Sequence, residues 1–447
     1  MLLSTIKSFI KTNHLLAPGK PVIVGFSGGG DSVALLMLLN RLGYECIAAH
    51  CNFHLRGDES DRDETFSRTF AGHYAIIFEK IDFETTLYAE KQHISIEMAA
   101  RDLRYEWFES LRKKYDAQAI AVAHHLDDSR ETLLLNLIRG TGIRGLCGIR
   151  PRNGLIVRPL LCACKEDING YLKEQSFSYV TDSSNVSDEY MRNRIRLHLI
   201  PLLRQLNPSI ESSLSRTAAQ MADVERIYLY TIENAKKMLI KKNDNGLICI
   251  SIDELSGFPG SKTILYEILQ PFGFTSKQTT TIFRSLPSES GKRFDAPNSG
   301  YQLLKDRDFL FIYEKQEDKM ESLSIEDYNT DLTHLPVRLT IRKVVINRSF
   351  EIDKSALTAT FDCEKIRFPL TLRKWSQGDW FIPFGLKGRQ KVSDYFSNHK
   401  FSRYQKDKTW LLCCGKDIIW IVGERTDNRY CIDNKTKTAL VINFFSK

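Results

Sequence analysis

The segment from residue 25 to residue 32 constrains the fold more than any other part of this 447-residue sequence. It holds four glycines, follows an apolar run at residues 22–24 and precedes an apolar helical pattern at residues 33–39. A strand, a glycine-rich turn and a helix are predicted in that order. So many glycines in one turn cost backbone entropy, which indicates that another group approaches the turn closely.

The first 200 residues alternate short apolar runs with helical patterns. The runs are continuous, which is typical of strands covered on both faces; they lie at residues 21–26, 46–53, 75–80 and 119–124. Helices are predicted at residues 31–42, 59–72 and 96–114. This β-α-β-α order predicts an α/β domain with a parallel sheet. Such sheets bind ligands beyond the carboxyl ends of their strands, so functional residues are expected there.

The remainder of the chain predicts two further domains. Asn207 and Pro208 indicate the start of a long connector helix that reaches about Leu239. Residues 247–312 mix a short strand, a helix and a β-like stretch, and the charged residues 314–322 are interpreted as a linker. Later strands are predicted at residues 337–346, 409–414, 418–422 and 439–444. We expect an N-terminal domain at 1–206, a helical or mixed middle domain at 207–320 and a small α+β domain at 321–447.

Composition excludes several classes of protein. A content of 42% hydrophobic residues gives each domain a core and excludes a disordered or fibrous chain. No stretch approaches the roughly 20 apolar residues of a membrane span. The ten cysteines form no Cys-x-x-Cys pair, so we expect reduced thiols rather than disulfides, a zinc ribbon or a redox site. A cytoplasmic protein is predicted.

The glycine-rich turn has the features of a phosphate-binding loop. Successive glycines let backbone N–H groups converge on an anion, and the N-terminus of the following helix adds partial positive charge. The expected contacts come from Ser27, Gly28, Gly29, Gly30, Asp31 and Ser32, with the two serine hydroxyls as further donors. The segment lacks the Gly-Lys-Ser/Thr of a Walker A loop and the Gly-x-Gly-x-x-Gly of dinucleotide binders.

Two other interpretations of this turn are considered. Residues 25–29 also fit Gly-x-Ser-x-Gly, the nucleophile elbow of α/β-hydrolases, in which Ser27 would attack a carbonyl. That interpretation does not account for Asp31 and Ser32. A glycine turn without any ligand is the second alternative.

Residues 27–32 match Ser-Gly-Gly-x-Asp-Ser, and the segment resembles the PP-loop of the N-type ATP pyrophosphatase superfamily. The resemblance implies an adenine-nucleotide α-hydrolase-like fold and cleavage of ATP to AMP and diphosphate. It also implies that the loop holds the departing diphosphate and that Asp31 helps to hold Mg²⁺, which would neutralise charge on the leaving group.

Further segments narrow the resemblance. Taken in order along the chain, they are similar to the tRNA(Ile)-lysidine synthetase family, strongly over residues 21–203; they lie at residues 50–57, 97–105, 123–132, 139–146, 182–185, 192–196, 372–379 and 391–394. The middle region matches only in placement. The resemblance implies a ligase in which ATP adenylates the C2 carbonyl oxygen of the wobble cytidine in an isoleucine tRNA with a CAU anticodon. The ε-amine of free L-lysine then displaces AMP, giving lysidine.

The resemblance also implies roles for individual residues. Asp31 and Asp128 are expected to bind metal, with Asp128 as an alternative ligand of the lysine amine, and His124 is expected to position groups or transfer a proton. Arg101 and Arg194 are expected to contact substrate or phosphate through bidentate geometry. Asn52 is expected to bind adenine or ribose, although Cys51 and Phe53 depart from the family pattern around it.

Basic residues are concentrated in three segments, which predicts contact with tRNA. Residues 139–165 hold six basic residues and residues 190–204 hold four, without an acidic residue in either. Residues 387–408 hold seven against two acidic ones. These segments carry more net charge than the +8 of the whole chain, so the remainder is acidic. Four aromatic residues within the last segment are expected to stack on unpaired bases: Tyr395, Phe396, Phe401 and Tyr404.

Three alternative functions stay open from the sequence. A PP-loop tRNA sulfur transferase is disfavoured by the missing Cys-x-x-Cys. The α/β-hydrolase with Ser27 and a non-catalytic tRNA-binding protein belong to other classes. The partners expected from the resemblance are tRNA(Ile) and free L-lysine, with no membrane; a homodimer is left open.

Overall fold

The computed structural model forms two compact units, residues 1–229 and 230–447. The structure describes residues 1–55, 57–181, 191–242, 247–297, 299–315, 322–347 and 350–445. The motif at residues 182–185 and most of the predicted linker at 314–322 therefore lie outside the described residues.

The first unit alternates strands and helices, as predicted. Its elements in chain order are α1 (Leu2–Thr12), β1 (Val22–Gly25), α2 (Gly30–Arg41), β2 (Cys46–Asn52), α3 (Asp58–His73), β3 (Ile77–Asp82), α4 (Thr85–Gln92), α5 (Ile96–Lys114), β4 (Ala119–Ala121), α6 (Leu126–Arg139), α7 (Ile143–Leu146), β5 (Arg152–Asn153), β6 (Ile156–Val157), α8 (Lys165–Glu174), α9 (Met191–Arg194), α10 (Ile200–Leu206) and α11 (Ile210–Leu239). A π-helical turn, Ile195–Leu199, joins α9 to α10.

One six-stranded sheet organises this unit, in the order β3-β2-β1-β4-β6-β5. Strand β1 pairs in parallel with β2 on one side and β4 on the other, with Val22 opposite both Cys46 and Ala119. Among these six described strands, β5 alone is antiparallel, at an edge. The α/β fold with a parallel sheet is therefore confirmed. The chain moves outward from β1 to β3 and then returns to β4, so the order reverses beside β1, where α/β sheets bind ligands.

Burial accounts for the apolar runs of the central strands and shows that the prediction for the edge strand β3 needs correction. Val22, Ile23 and Val24 are inaccessible to solvent, and residues 32–39 of α2 are all buried against the sheet. The expectation that residues 75–80 are covered on both faces is wrong, because β3 lies at the sheet edge and contains no buried residue. Strand β4 spans only three residues and leaves His124 in the loop beyond its carboxyl end.

The long connector helix is confirmed as α11, which spans 30 residues. It begins later than predicted. The Asn207 side chain accepts a hydrogen bond from the backbone N–H of Ser209 (2.9 Å), so Asn207 and Pro208 form a turn before the helix. The asparagine is thus a turn residue rather than the cap of α11.

The second unit begins with an antiparallel sheet of order β7-β8-β11-β10-β9, accompanied by three helices. Its elements are β7 (Lys241–Lys242), β8 (Ile248–Ser251), α12 (Ile252–Ser256), α13 (Ser261–Leu269), α14 (Ser276–Ser285), β9 (Lys292–Asp295), β10 (Tyr301–Asp306) and β11 (Phe309–Glu314). The β-like stretch at residues 301–313 is a hairpin, because Arg307 turns the chain in the left-handed region (φ 48°).

The rest of the second unit contains three antiparallel sheets, which confirms the small α+β part. Their orders are β12-β15-β18-β19-β20, β13-β21-β14 and β16-β17. The elements are β12 (Ser322–Ile325), β13 (Arg338–Val345), β14 (Thr358–Asp362), β15 (Leu370–Lys374), β16 (Trp380–Phe381), β17 (Gln390–Lys391), α15 (Val392–Asn398), α16 (Arg403–Lys408), β18 (Trp410–Cys414), β19 (Asp417–Ile421), β20 (Arg425–Thr426) and β21 (Thr438–Phe445). Phe361 and Trp420 lie in the core between the two larger sheets.

Within the described ranges, no helix combines the length and the apolar character that crossing a bilayer requires.

Candidate active site

The glycine-rich loop runs from the end of β1 to the start of α2. Gly28 adopts a left-handed backbone conformation (φ +82°), and a Cβ atom there would lie 2.9 Å from Ser67 Oγ. A Cβ atom on Gly30 would lie 3.1 Å from Leu172 Cδ1. The close approach that the sequence indicated therefore comes in part from the protein itself. The loop is held tightly and presents backbone N–H groups at a helix N-terminus.

The two serine hydroxyls stabilise this loop internally. Ser32 Oγ donates to the carbonyl of Gly29 (2.8 Å), and Ser27 Oγ donates to Ser32 Oγ (3.3 Å). Their protons are thus used within the loop, which leaves backbone N–H groups as the donors for an anion. A nucleophile elbow requires a histidine base on Ser27. Among the described residues, the hydrogen bonds of Ser27 Oγ are with Ser32 and Gly29.

Three carboxylates surround the buried ring of His125, beyond β4. The ring Nε2 lies 3.8 Å from Asp31 Oδ2 and 3.5 Å from Asp128 Oδ2, and Nδ1 lies 3.6 Å from Asp127 Oδ2. Asp31 comes from the start of α2, and the other two come from the start of α6. Two helix N-termini thus meet at the point where the strand order reverses. The structure places two of the predicted site residues, Asp31 and Asp128, against the same ring nitrogen of His125.

A basic side chain stands beside each of these carboxylates. These positive charges reduce the repulsion among the three carboxylates. The contacts join Lys165 Nζ to Asp31 Oδ1 (2.5 Å), Arg130 Nη1 to Asp127 Oδ1 (2.5 Å) and Arg196 Nη2 to Asp128 Oδ1 (3.8 Å).

Asp128 also has a structural role. Its Oδ2 accepts the backbone N–H of His125 (2.9 Å), which caps α6. One turn later, the buried Glu131 receives both Nε and Nη2 of Arg196 (2.6 and 3.0 Å). This bidentate pair holds the π-helical turn against α6. Arg196 Nη2 approaches Oδ1 of Asp128 only to 3.8 Å, so Oδ1 is the carboxylate oxygen more open to a substrate group.

His124 lies beyond β4 and is held by the residue that follows the neighbouring strand β6. Nε of Arg158 donates to Nδ1 of His124 (3.3 Å). An arginine always carries this proton, so Nδ1 is the acceptor and the neutral ring carries its hydrogen on Nε2. Burial lowers the pKa of His124 to about 4, which the positive charges of Arg158, Arg192 and Arg101 reinforce and Asp128 opposes. His124 is therefore a neutral hydrogen-bond donor at neutral pH.

The other predicted site residues are placed differently. Arg101 is exposed on α5 near the ring of Tyr105. Arg194 is exposed on α9, while its neighbours Arg192 and Arg196 contact α6.

Asn52, the predicted adenine or ribose ligand, is buried and uses its side chain internally. Its amide donates to Asp61 Oδ1 (3.2 Å) and Glu64 Oε2 (3.4 Å), and its oxygen accepts the backbone N–H of His54 (3.1 Å). The amide group of Asn52 is thus occupied by the two carboxylates, and its oxygen keeps one lone pair for a further donor.

Sequence reasoning missed five residues of this site. His125 and Asp127 lie inside the segment at residues 123–132, so their proximity to Asp128 could have been predicted from the sequence. Arg158 and Lys165 were counted only as basic charge, and Arg196 lay in the motif at residues 192–196 without a role of its own. Arg158 could have been predicted, because it directly follows the short strand β6, and functional residues are expected beyond the carboxyl ends of such strands. Lys165 could not have been predicted in this way, since its position depends on the packing of α8 against α2.

The described residues contain no group of three or more His, Cys, Asp and Glu side chains arranged to hold a metal ion. Mg²⁺ usually takes only one or two protein carboxylates, together with water and phosphate oxygens. Asp31 and Asp128 face the same ring nitrogen of His125 and fit that requirement.

Comparisons with known proteins identify the family. Three family models match in succession, described as PP-loop domain (residues 3–203), TilS substrate binding domain (242–315) and TilS substrate C-terminal domain (370–443). A tRNA(Ile)-lysidine synthase of Parabacteroides distasonis is 53% identical over 99% of this chain and 100% of that protein. This chain belongs to the tRNA(Ile)-lysidine synthase family. The protein of the same name from Bacteroides thetaiotaomicron is 46% identical over 99% of both chains.

Membership of the tRNA(Ile)-lysidine synthase family means that the chain is a ligase that uses ATP and forms a carbon–nitrogen bond. The sulfur-transferase and hydrolase alternatives are not favoured. All ten cysteines are free, and burial raises the pKa of Cys46 and Cys51 to about 12. Among solved structures, a U34-tRNA thiolase from Methanococcus maripaludis is similar, with a TM-score of 0.42 and 17% identity, over 50% of this chain and 79% of that one.

Replacement of Gly28 tests the close fit of the loop. Gly28→Ala places a Cβ atom against Ser67 Oγ in a left-handed conformation, so we expect the free energy of unfolding to fall by about 1–3 kcal/mol. ATP binding should weaken as the loop shifts. Urea unfolding and titration with a fluorescent ATP analogue measure the two effects.

Gly72→Ala is the matched control, because a Cβ atom at that helical position would have no neighbouring atom within 4 Å. It should leave ATP affinity unchanged. Adding Ser67→Ala to Gly28→Ala should recover part of the loss by removing the clash. Unchanged stability and ATP affinity in Gly28→Ala would contradict the fit described here.

The lowered pKa of His124 predicts a pH effect on stability. The folded-state pKa of about 4 lies below the value of about 6.5 in the unfolded chain, so folding opposes protonation. The contribution of this residue is fully present above pH 6.5 and is lost progressively as the pH falls towards 4. NMR of labelled histidines, with His124→Gln to assign the signal, should show a neutral ring at pH 5. Titration near pH 6.5 would refute this prediction.

Proposed function

We propose that this chain attaches free L-lysine to C2 of the wobble cytidine in an isoleucine tRNA with a CAU anticodon, and that it converts ATP to AMP and diphosphate. The observation that carries the proposal is the meeting of Asp31, at the end of the glycine-rich loop, with His125 and Asp128 beyond the carboxyl ends of the strands, in a chain that matches lysidine synthases over its full length. The product would change both the codon and the amino-acid specificity of the tRNA.

The loop would hold the diphosphate part of ATP. Backbone N–H groups of Gly28 and Gly30 and the N-terminus of α2 would supply the donors, while the Gly29 N–H and the hydroxyls of Ser27 and Ser32 hold the loop together. Asp31, together with Asp128, would hold Mg²⁺, which when bound neutralises charge on the leaving group. The first step would join the C2 oxygen of the cytidine to the α-phosphorus and release diphosphate.

The second step requires a neutral amine and a good leaving group. An amide-like carbonyl becomes a strong electrophile only after its oxygen is adenylated, and AMP then departs. As the alternative to its role in metal binding, Asp128 would bind the ε-ammonium of lysine through Oδ1 and accept its proton. His124 would donate a hydrogen bond from Nε2 and position the substrate, because Arg158 occupies Nδ1.

Two predicted arginines would act from the solvent-facing side. Arg101 and Arg194 are exposed and can contact substrate or phosphate with a bidentate guanidinium. Asn52 would bind adenine or ribose through the second lone pair of its oxygen, or by exchanging a bond to Asp61 or Glu64. The domain boundaries at residues 206 and 320 and the homodimer also stay predictions.

For the third basic segment, residues 387–408, the expected stacking of bases on its aromatic residues needs correction. Tyr395 and Phe396 are buried in a core cluster, and Phe401 packs against Phe396 with ring centroids 4.9 Å apart. Tyr404 packs against Tyr313 at the same distance. These rings stabilise the second unit and do not offer a free face to a base.

We propose instead that the loop at residues 383–389 makes apolar contacts with unpaired nucleotides. Phe384 and Leu386 are 48% and 55% exposed, with Lys387 and Arg389 beside them. The exposed side chains stand on a fixed backbone. Its hydrogen bonds are Phe384 N–H to Thr426 O (2.9 Å), Gly385 N–H to Asn428 Oδ1 (3.0 Å) and Arg425 Nη2 to Phe384 O (2.8 Å). An exposed aromatic ring on a rigid, basic loop suits RNA, because bases stack on it at little entropic cost.

Incorporation of lysine into RNA tests the proposed reaction. The chain is incubated with isoleucine tRNA, ATP, Mg²⁺ and radiolabelled lysine, and we expect equal amounts of labelled RNA, AMP and diphosphate. Asp31→Asn should reduce the rate at least about a hundredfold through the lost metal ligand. Asp116→Asn is the matched control, because this exposed residue precedes β4 and lies near the amino ends of the strands, away from the site at their carboxyl ends. Unlabelled RNA, or mass spectrometry showing a thiolated base, would refute the proposal.

Measurements of tRNA affinity against salt concentration test the loop. Phe384→Ala should weaken binding about tenfold, through lost stacking, without changing the slope of log affinity against log salt. Lys387→Ala should reduce that slope by about one, because it removes a phosphate contact. Tyr328→Ala is the control, an exposed aromatic residue elsewhere in the same unit. If Phe384→Ala bound tRNA as tightly as the wild-type chain, the loop would not be part of the RNA-binding surface.

A further inference from the structure

Lys165 is the group closest to Asp31, although the two residues are 134 positions apart. Its Nζ lies 2.5 Å from Asp31 Oδ1, and the other carboxylate oxygen of Asp31 faces His125 Nε2 at 3.8 Å. Oδ1 of the predicted metal ligand is therefore paired with an ammonium group before any metal binds, whereas Oδ2 lies beyond hydrogen-bond distance of His125. A divalent cation that takes Oδ1 must displace the ammonium group.

The position of Lys165 is fixed by the fold. Its backbone N–H donates to Asp127 Oδ2 (2.7 Å), and Asp127 Oδ1 is held by Arg130 Nη1 (2.5 Å). Arg130 in turn donates through Nε to Ser215 Oγ on α11 (2.9 Å). The lysine backbone is thus anchored at the first residue of α8, while its side chain stays 44% exposed. Because the backbone of Lys165 is anchored and its ammonium group is partly exposed, the side chain can change its rotamer while the backbone stays in place.

One carboxylate oxygen of Asp31 is open to a ligand in addition to Lys165. Its Oδ2 lies 3.8 Å from Nε2 of the buried His125, beyond hydrogen-bond distance, and the Asp31 side chain is 30% exposed. Asp31 directly follows the glycines whose N–H groups face the proposed diphosphate. A lysine that reaches Asp31 therefore also reaches an anion on that loop, and its ammonium is a compact charge without fixed directionality.

We propose that Lys165 acts as an exchangeable counter-ion. It holds Asp31 in the nucleotide-free enzyme, and it moves to a diphosphate oxygen of ATP when a divalent cation takes its place on the carboxylate. This inference deepens the proposed function and rests on it. The exchange keeps the carboxylate and the leaving diphosphate each beside a cation, so no charge is left unpaired in the partly buried site.

Replacement of Lys165 should change two affinities in opposite directions. Lys165→Met keeps the length of the side chain and removes its charge. Mn²⁺ should then bind the nucleotide-free enzyme about tenfold more tightly, because no ammonium competes for Asp31. Inorganic diphosphate should bind about tenfold more weakly in the presence of Mg²⁺. Electron paramagnetic resonance measures free Mn²⁺, and calorimetry measures diphosphate binding.

Three variants control this experiment. Lys173→Met removes an exposed lysine of the same helix and should change neither affinity. Lys165→Arg should restore diphosphate binding in large part. The double variant Asp31→Asn with Lys165→Met should lose the gain in Mn²⁺ affinity, which assigns that gain to Asp31.

The opposite signs separate this inference from a purely structural role. If Lys165→Met weakens both affinities, or changes neither, the exchange is wrong. Lysine incorporation by the wild-type chain is measured in parallel. Incorporation without the opposite shifts overturns this inference alone. The opposite shifts without incorporation overturn the proposed reaction, and the exchange then stands only as a property of the ATP site.

Discussion

The parallel pairing of β1 with β2 and β4 is the constraint on which the site depends. It places the buried strand Val22–Gly25 in the interior of the sheet and sends the chain away in opposite directions on its two sides. The carboxyl ends of β1 and β4 then open into one crevice. The glycine loop, Asp31 and His124 occupy that crevice because their strands end there, not because they are close in the chain.

Charge balance is the second condition. Three carboxylates approach one buried ring, which would be unfavourable if they stood alone. The cations that compensate them come from three different helical segments: Arg130 from α6, Lys165 from α8 and Arg196 from the π-helical turn. The site is therefore stable only when these segments are docked. Because Arg130 also contacts Ser215, the connector helix α11 belongs to the same network as the phosphate loop.

Features formed by neighbouring residues could be predicted from the sequence, whereas contacts between distant residues, which depend on packing, could not. Continuous apolar runs identified β1, β2 and β4 because those strands are buried on both faces, whereas the apolar run before β3 continues into charged residues at an exposed edge. The phosphate loop was recognisable because its glycines are contiguous. The contacts of Lys165 with Asp31 and of Arg158 with His124 were not recognisable, since they arise from the helix and strand order in space. Asp31 and Asp128 were found together, but the structural use of Asn52 and of one oxygen of Asp128 was not foreseen.

The number of basic residues in a segment overstates how much of its surface is available to RNA. In the segment at residues 387–408, the backbone of Arg403 donates to Asp306 Oδ2 (2.7 Å), and Asp407 pairs with Arg293. Helix α16 therefore fixes the C-terminal sheets to the middle sheet within the second unit. Lys387 and Arg389 lie outside this contact, on the loop that also exposes Phe384. Since α16 is committed to an internal interface, the RNA-facing part of the segment is better placed at the loop, where charge and an exposed ring coincide.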